Sequence, residues 1–184
     1  MRSSTLRSIL LGCLAAGSVL LIRKRRRPLA VVPHVDLKKY QGKWHEIARL
    51  PARFQNDCKS DVTAEYHFRS DNTIQVINSC RTANGLWKVS KGVAKLGAAG
   101  APASKLRVRF LWPFYGDYWI LALDSDYRWS LVGTPNRRYL WILSRTPQLD
   151  RAVSIDLLKR ASDFGFDVGR IIWTRHTVSS HTAA

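Results

Sequence analysis

From position 31 onward, apolar and polar residues alternate with a period of two in short runs broken by turn residues. This is the pattern of strands with one face buried and the other in water. The clearest pair is 62–69 and 73–80, joined across Ser70-Asp71-Asn72, a polar tip suited to a tight hairpin. Between 105 and 110, Leu106, Val108 and Phe110 fall on one face and Lys105, Arg107 and Arg109 on the other. The same alternation predicts strands at 43–50, 86–96, 117–123, 129–132 and 139–144. Asp124-Ser125-Asp126 and Thr134-Pro135-Asn136-Arg137 read as hairpin turns, so consecutive strands should be neighbours. An antiparallel meander of about eight strands closes naturally into a barrel. One segment breaks the rhythm. Over 149–162, Val153, Ile155, Leu157, Leu158 and Ala161 form an apolar stripe against Asp150, Arg151, Asp156, Lys159 and Arg160. This predicts one helix packed outside the barrel, ended by Gly165 and followed by a short last strand at 171–174. The fold class is all-β: an eight-stranded antiparallel up-and-down barrel with one flanking C-terminal helix and an N-terminal apolar leader.

The leader is the uncharged stretch 8–22, which stops at Arg23-Lys24-Arg25-Arg26-Arg27-Pro28. As a helix it would reach about 22 Å, short of the roughly 30 Å hydrocarbon core but the length of a signal-peptide apolar region. Within it, Leu10-Leu11-Gly12-Cys13 resembles the bacterial lipobox, which makes Cys13 a candidate for lipidation. A lipobox cysteine follows its apolar stretch, however, and here most of the stretch follows the cysteine, so an uncleaved anchor is the other reading. The basic run conflicts with export, since positive flanks stay on the cytoplasmic side. It reads as a stop-transfer flank or a linker touching anionic headgroups. The expected organisation is a leader over 1–30, a barrel domain over 31–177 and a loose tail over 178–184.

Composition alters this picture in one respect. With 46% apolar and 23% charged residues in 184, wholesale disorder and a multi-span membrane protein are excluded. The 30 Lys and Arg against 13 Asp and Glu give +17, of which 7 charges sit in residues 1–27 with no acid beside them. The body is therefore basic, which turns attention to nucleic acid or an anionic membrane surface. Nucleic-acid binding needs basic residues interleaved with exposed aromatics on one face. The alternation sends the aromatics inward and scatters the charges, so no nucleic-acid partner is expected. Arg49, Arg53, Lys59, Arg137 and Arg138 either favour anionic headgroups or merely solvate the surface. The aromatic turn Trp112-Pro113-Phe114-Tyr115 could contact lipid, a membrane, a second copy or a neighbouring loop.

No G-x-S-x-G elbow, H-E-x-x-H helix, P-loop or dinucleotide fingerprint is present. His34, His45, His67, His176 and His181 lack metal-ligand spacing, and His45 and His67 are expected as outward, solvated imidazoles. No catalytic residue, metal or cofactor is expected. Of the three cysteines, Cys80 lies opposite position 62 if Arg69 pairs with Thr73, and Cys58 precedes that point by a few residues. A loop folding back could bring both into disulfide range. A disulfide and two free thiols are both open readings; a bonded pair would leave Cys13 as the odd one.

Gly42-Lys43-Trp44, the stretch from Gly116-Asp117-Tyr118-Trp119 to Asp124, and Leu140-Trp141-Ile142-Leu143-Ser144-Arg145 together resemble the three signature regions of the lipocalin family. Tyr127-Arg128-Trp129 and Phe164-Gly165-Phe166-Asp167 narrow the resemblance to the bacterial lipocalins related to the outer-membrane lipoprotein lipocalin. It covers about residues 33–177. The resemblance implies a barrel closed at one end and open at the other, enclosing an apolar cavity for a fatty acid or lysophospholipid. It implies a membrane-maintenance role in the bacterial envelope, at the outer membrane or periplasm, with an uncleaved inner-membrane anchor as the alternative. It also raises a homodimer. Gly42, Trp44, Asp124 and Arg145 are the structural signature, with Trp44 plugging the closed end and Arg145 stacked over its indole.

By the family's parity, Ala64, Tyr66 and Phe68, then Ile74, Val76 and Asn78, then Val108 and Phe110, then Tyr139, Trp141 and Leu143 point inward. The expected ligand-binding set is Ala64, Tyr66, Val76, Asn78, Val108, Phe110, Tyr118, Tyr139 and Trp141, with Asn78 and the hydroxyls of Tyr118 and Tyr139 orienting a headgroup near the mouth. Ordinary barrel filling is the competing account of each position, and a membrane-tethered scaffold with a filled barrel is the alternative function.

Overall fold

The computed structural model describes residues 28–111 and 113–177. The leader with Cys13, Trp112 of the aromatic turn and the tail 178–184 lie outside the described residues. A short helix α1 (Leu37–Tyr40) leads into β1 (Gly42–Arg49), β2 (Ser60–Phe68), β3 (Ile74–Arg81), β4 (Trp87–Leu96), β5 (Lys105–Leu111), β6 (Phe114–Leu123), β7 (Trp129–Gly133) and β8 (Leu140–Ser144). Then come α2 (Arg151–Asp163) and β9 (Ile172–Trp173). From β1 to β8 every strand pairs antiparallel with the next, and β1 pairs with both β2 and β8, so the eight strands close into a barrel. Among the described residues no helix is long and apolar enough to cross a membrane.

The alternation expected from the sequence fixes which side chains enter. In the β2–β3 hairpin, Thr63 faces Ser79 and Phe68 faces Ile74, with the Arg69 amide donating to the Thr73 carbonyl at 2.9 Å. Two apolar clusters result, one on each side of the wall. Inside lie Tyr40, Trp44, Tyr66, Ile74, Val76, Ala94, Leu106, Ile120, Val132 and Leu143. Outside, Leu157, Ala161 and Phe166 of the helical segment cover Ala48, Leu121, Leu131, Leu140 and Ile142. Leu29, on the leader side of the expected boundary, is buried in this outer cluster. The Asp150 carboxylate accepts from the Ala152 and Val153 amides and caps α2, which ends before Gly165.

One departure positions the site. β1 stays with β2 only as far as His45, then bulges between Glu46 and Ala48 and parts from it. The chain's end fills the gap: β9 pairs with Ala48 and Arg49, and Ser60 bridges Arg175 in parallel. Asp61 holds this segment, accepting from the Thr177 amide at 2.7 Å and its hydroxyl at 2.8 Å. Although burial works against it, these bonds keep the Asp61 carboxyl below its ordinary range.

Candidate functional site

The antiparallel order puts α1 and the β2–β3, β4–β5 and β6–β7 turns at one end, the floor, and the other four links at the mouth. At the floor, Trp44 is fully buried and its indole N–H donates to the Tyr40 carbonyl at 2.9 Å. The Arg145 guanidinium stacks 3.9 Å from the Trp44 ring centroid and donates to the Tyr127, Lys43 and Lys39 carbonyls. Gly42 sits beside it at φ +87°, a conformation that favours glycine, with the guanidinium 3.5 Å from where a Cβ would stand. Asp124 binds Arg128 through both carboxylate oxygens, at 2.8 and 3.0 Å, and accepts from the Asp126 and Arg128 amides, closing the β6–β7 turn. The four signature residues thus serve geometry at this end.

Above Trp44 three tyrosines share their hydroxyls. Tyr66 donates to Tyr118 at 2.8 Å, Tyr118 meets Tyr40 at 3.0 Å, and Tyr40 donates to Ser130 at 3.1 Å. Burial pushes the Tyr40 phenol up to about 12 and raises Tyr66 and Tyr118 as well. These are neutral groups saturating one another. Tyr118, expected to orient a headgroup near the mouth, spends its hydroxyl in this deep chain instead. The reason is Tyr40, supplied by the one-turn helix α1, a contact that strand alternation could not foresee.

The upper wall differs. Ala64, Val108 and Trp141 pack only partly buried against the inner cluster, while Val76 is tightly enclosed. Asn78 shares the inner face, paired with Ala64, and its buried Oδ1 has no hydrogen-bond partner among the described residues. The Phe110 ring lies against Gly92, where a Cβ would come within 2.8 Å of it, and remains 45% exposed. Tyr139 stacks 6.0 Å from Trp141, and Phe54 of the β1–β2 link meets Tyr139 edge-on at 5.3 Å.

That link folds over the mouth. The Trp141 indole donates to Gln55 Oε1 and Gln55 Nε2 donates to Glu46, both at 2.9 Å, and the Thr174 hydroxyl donates to Glu46 at 2.6 Å. Arg49 Nε stands 3.4 Å from Glu46 and its Nη2 donates to the Gln55 carbonyl at 3.3 Å, while the buried Nη1 finds no partner among the described residues. Burial raises the Glu46 carboxyl above its ordinary value, against the bonds from Thr174 and Gln55 and the charge of Arg49. Arg49 is therefore not a solvating surface cation. Cys58 and Cys80 are bonded, with Cα atoms 5.5 Å apart, which pins the far end of the link to β3. Sequence reasoning missed Tyr40, Glu46 and Gln55. Only the Asp36 cap before Leu37 signalled the first, and the other two follow from the bulge.

His67 is exposed near Glu65, as expected. His45 is not solvated: His176 of the C-terminal segment packs edge-on at 5.2 Å and donates through Nε2 to the Glu46 carbonyl. Burial, then the charges of His176 and Lys43, lower His45 to about 4. Among the described residues no three His, Cys, Asp or Glu side chains could hold a metal ion.

A family model described as a lipocalin-like domain matches residues 35–176. The outer membrane lipoprotein Blc of Escherichia coli is 44% identical over 151 residues, 81% of this chain and 84% of that protein. The protein of the same name from Vibrio cholerae is 39% identical over 162 residues, 86% of this chain and 94% of its own. Among solved structures, insecticyanin of the tobacco hornworm Manduca sexta superposes with a TM-score of 0.64 at 24% identity, over 82% of this chain and 85% of that one.

Proposed function

The chain belongs to the lipocalin family, and from that premise we propose that it binds one acyl-chain lipid, a fatty acid or lysophospholipid, within the upper barrel. It is a carrier or store for envelope maintenance rather than an enzyme. The observation that carries this reading is the change along the barrel axis: a plugged floor whose tyrosine hydroxyls satisfy one another below a partly accessible apolar wall that keeps an unpartnered acceptor, Asn78 Oδ1. Ala64, Val108, Phe110 and Trp141 would line the acyl chain, with Val76 and Tyr66 beneath its end. Asn78 and Tyr139 would meet polar atoms of the ligand; an apolar site with a few such groups is what a single-tail amphiphile needs. The names of the Blc relatives support an outer-membrane location with the leader as tether, and Cys13 as the residue that would carry the acyl anchor.

Native mass spectrometry of the full-length protein followed by lipid extraction tests the reading. A co-purifying single-chain lipid at one per barrel or per pair of barrels is expected, and Trp141→Arg should abolish uptake of added fatty acid while the parent takes it up. A parent that purifies bare and refuses added acyl chains would leave the filled-barrel scaffold as the better account.

A further inference from the structure

Opposite α2, the outer face of β4, β5 and β6 is uncovered, and it is graded along the barrel. Nearest the mouth on this face stand Leu86, Trp87 and Val89, and at the rim itself the cross-strand pair Leu111 and Phe114 is 71% and 72% exposed. One tier further from the mouth the same face turns cationic. Lys95, Arg107 and Arg109 converge on the Tyr115 ring at 4.6, 5.3 and 5.1 Å from its centroid. Arg69, Lys91 and Arg109 also line an adjacent open groove of about 420 Å³. None of these five cations makes an ion pair among the described residues. The expectation that alternation sends the aromatics inward fails on this wall, because Tyr115 shares the parity of Asp117 and Trp119, whose partners are the outward Arg107 and Lys105, and so stands outside beside Arg107 and Arg109.

We propose that the mouth end of the β4–β6 wall is a docking surface for an anionic lipid bilayer. Leu111 and Arg109 are two residues apart, about 7 Å along a strand and about 5 Å along the axis of a barrel whose strands tilt by 35–45°. An apolar tier buried at the acyl boundary would then hold the cationic tier at phosphate depth, the 5–10 Å arrangement of interfacial segments. The alternatives fit less well. A two-fold contact between copies would set the cations against themselves. A nucleic acid has no hydrocarbon for Leu86, Val89 and Leu111, and the Tyr115 ring is already engaged by three cations rather than free to stack on a base. Docked this way, the mouth faces the lipid, but the surface stands on its own and does not require the cavity to hold a ligand.

Hydrogen exchange read by mass spectrometry on the full-length protein, with no free ligand added, localises the contact apart from any tether in the leader. Vesicles of phosphatidylcholine with about a third phosphatidylglycerol should protect 86–95 and 105–117, while pure phosphatidylcholine should not. Removing two surface cations by Arg107→Gln with Arg109→Gln should weaken that protection about thirtyfold in lipid concentration, and 0.5 M salt should reverse it in the parent. The salt titration stands if the double variant does not fold. Equal protection by neutral vesicles, or none by either, overturns the proposal. Protection by a single-stranded oligonucleotide alone replaces it with a nucleic-acid surface, and protection that grows with protein concentration alone replaces it with a homodimer interface.

Discussion

The floor and the mouth of this barrel are built from the same residue types and are finished differently. At the floor, Tyr66, Tyr118, Tyr40 and Ser130 form a single file of hydroxyls, and Arg145 spends three N–H groups on carbonyls while its face covers Trp44. At the mouth, Glu46, Arg49 and Gln55 are also buried or half-buried, yet Arg49 Nη1 and, further down the wall, Asn78 Oδ1 lack partners among the described residues. An unsatisfied buried polar group costs roughly 1–3 kcal/mol. The floor keeps one such atom as well, Ser104 Oγ in the β4–β5 turn, but its hydroxyl file and stacked plug are closed, whereas the unmet groups at the mouth and on Asn78 stand beside the accessible apolar wall. The most recognisable residues of the sequence, Trp44 and Arg145, belong to the closed end.

The harshest way to break the comparison is to remove the plug. Trp44→Ala should lower unfolding free energy by about 3–5 kcal/mol, the usual loss for a fully buried large aromatic, measured by urea unfolding. Arg145→Ala should cost less, since the stacking contributes roughly 0.5–2 kcal/mol and the three freed carbonyls lie close to solvent. A Trp44→Ala loss under 1 kcal/mol would mean that the floor is not where stability is concentrated.

The two ends were also unequally legible in the sequence. The β2–β3 register follows from a three-residue polar tip and a constant pairing sum, and it brought Cys58 within reach of Cys80. Gly165 stopped the helix where a positive-φ residue is needed. The mouth was not legible for a physical reason. The bulge between Glu46 and Ala48 breaks the alternation along β1, and the contacts that then decide the site are non-local, Thr174 to Glu46 across 128 positions and Trp141 to Gln55 across 86. Alternation reports a strand's own faces. It carries no information about a C-terminal segment that fills the gap where two strands part, which is why His45 read as solvated.

Cutting the disulfide sharpens the comparison, because it loosens one end only. Cys58 and Cys80 are 22 positions apart, so Cys58→Ser with Cys80→Ser should cost about 3 kcal/mol on loop-entropy grounds. The local readout matters more than the total. Hydrogen exchange should rise in 50–59, the link that carries Phe54 and Gln55 over the mouth, while the floor tyrosines and Trp44 keep their protection. A uniform rise across the barrel would show that the two ends share one cooperative unit.

The smallest effect lies at the seam, where β1 leaves β2 and His45 is covered by His176. His45 is held at about 4 against its ordinary 6.5, chiefly by burial and then by the charges of His176 and Lys43, with Asp61 pulling the other way. Its Nδ1 is buried without a partner among the described residues, so a proton added there has no acceptor. Between pH 6.5 and 4 the unfolded chain binds this proton and the folded chain does not, so stability falls as the pH falls through that window. Solvent at a half-buried ring screens the effect to about 1 kcal/mol. Glu46 works in the opposite sense, since a carboxyl held above its ordinary value loses stability as the pH rises through its own titration. Stability of the parent minus that of His45→Gln, followed from pH 7 to 4.5, isolates the histidine. That difference should shrink on acidification, with faster exchange in 172–177 than at the floor. A flat difference would mean that the imidazole titrates freely and that the C-terminal segment does not seal the seam.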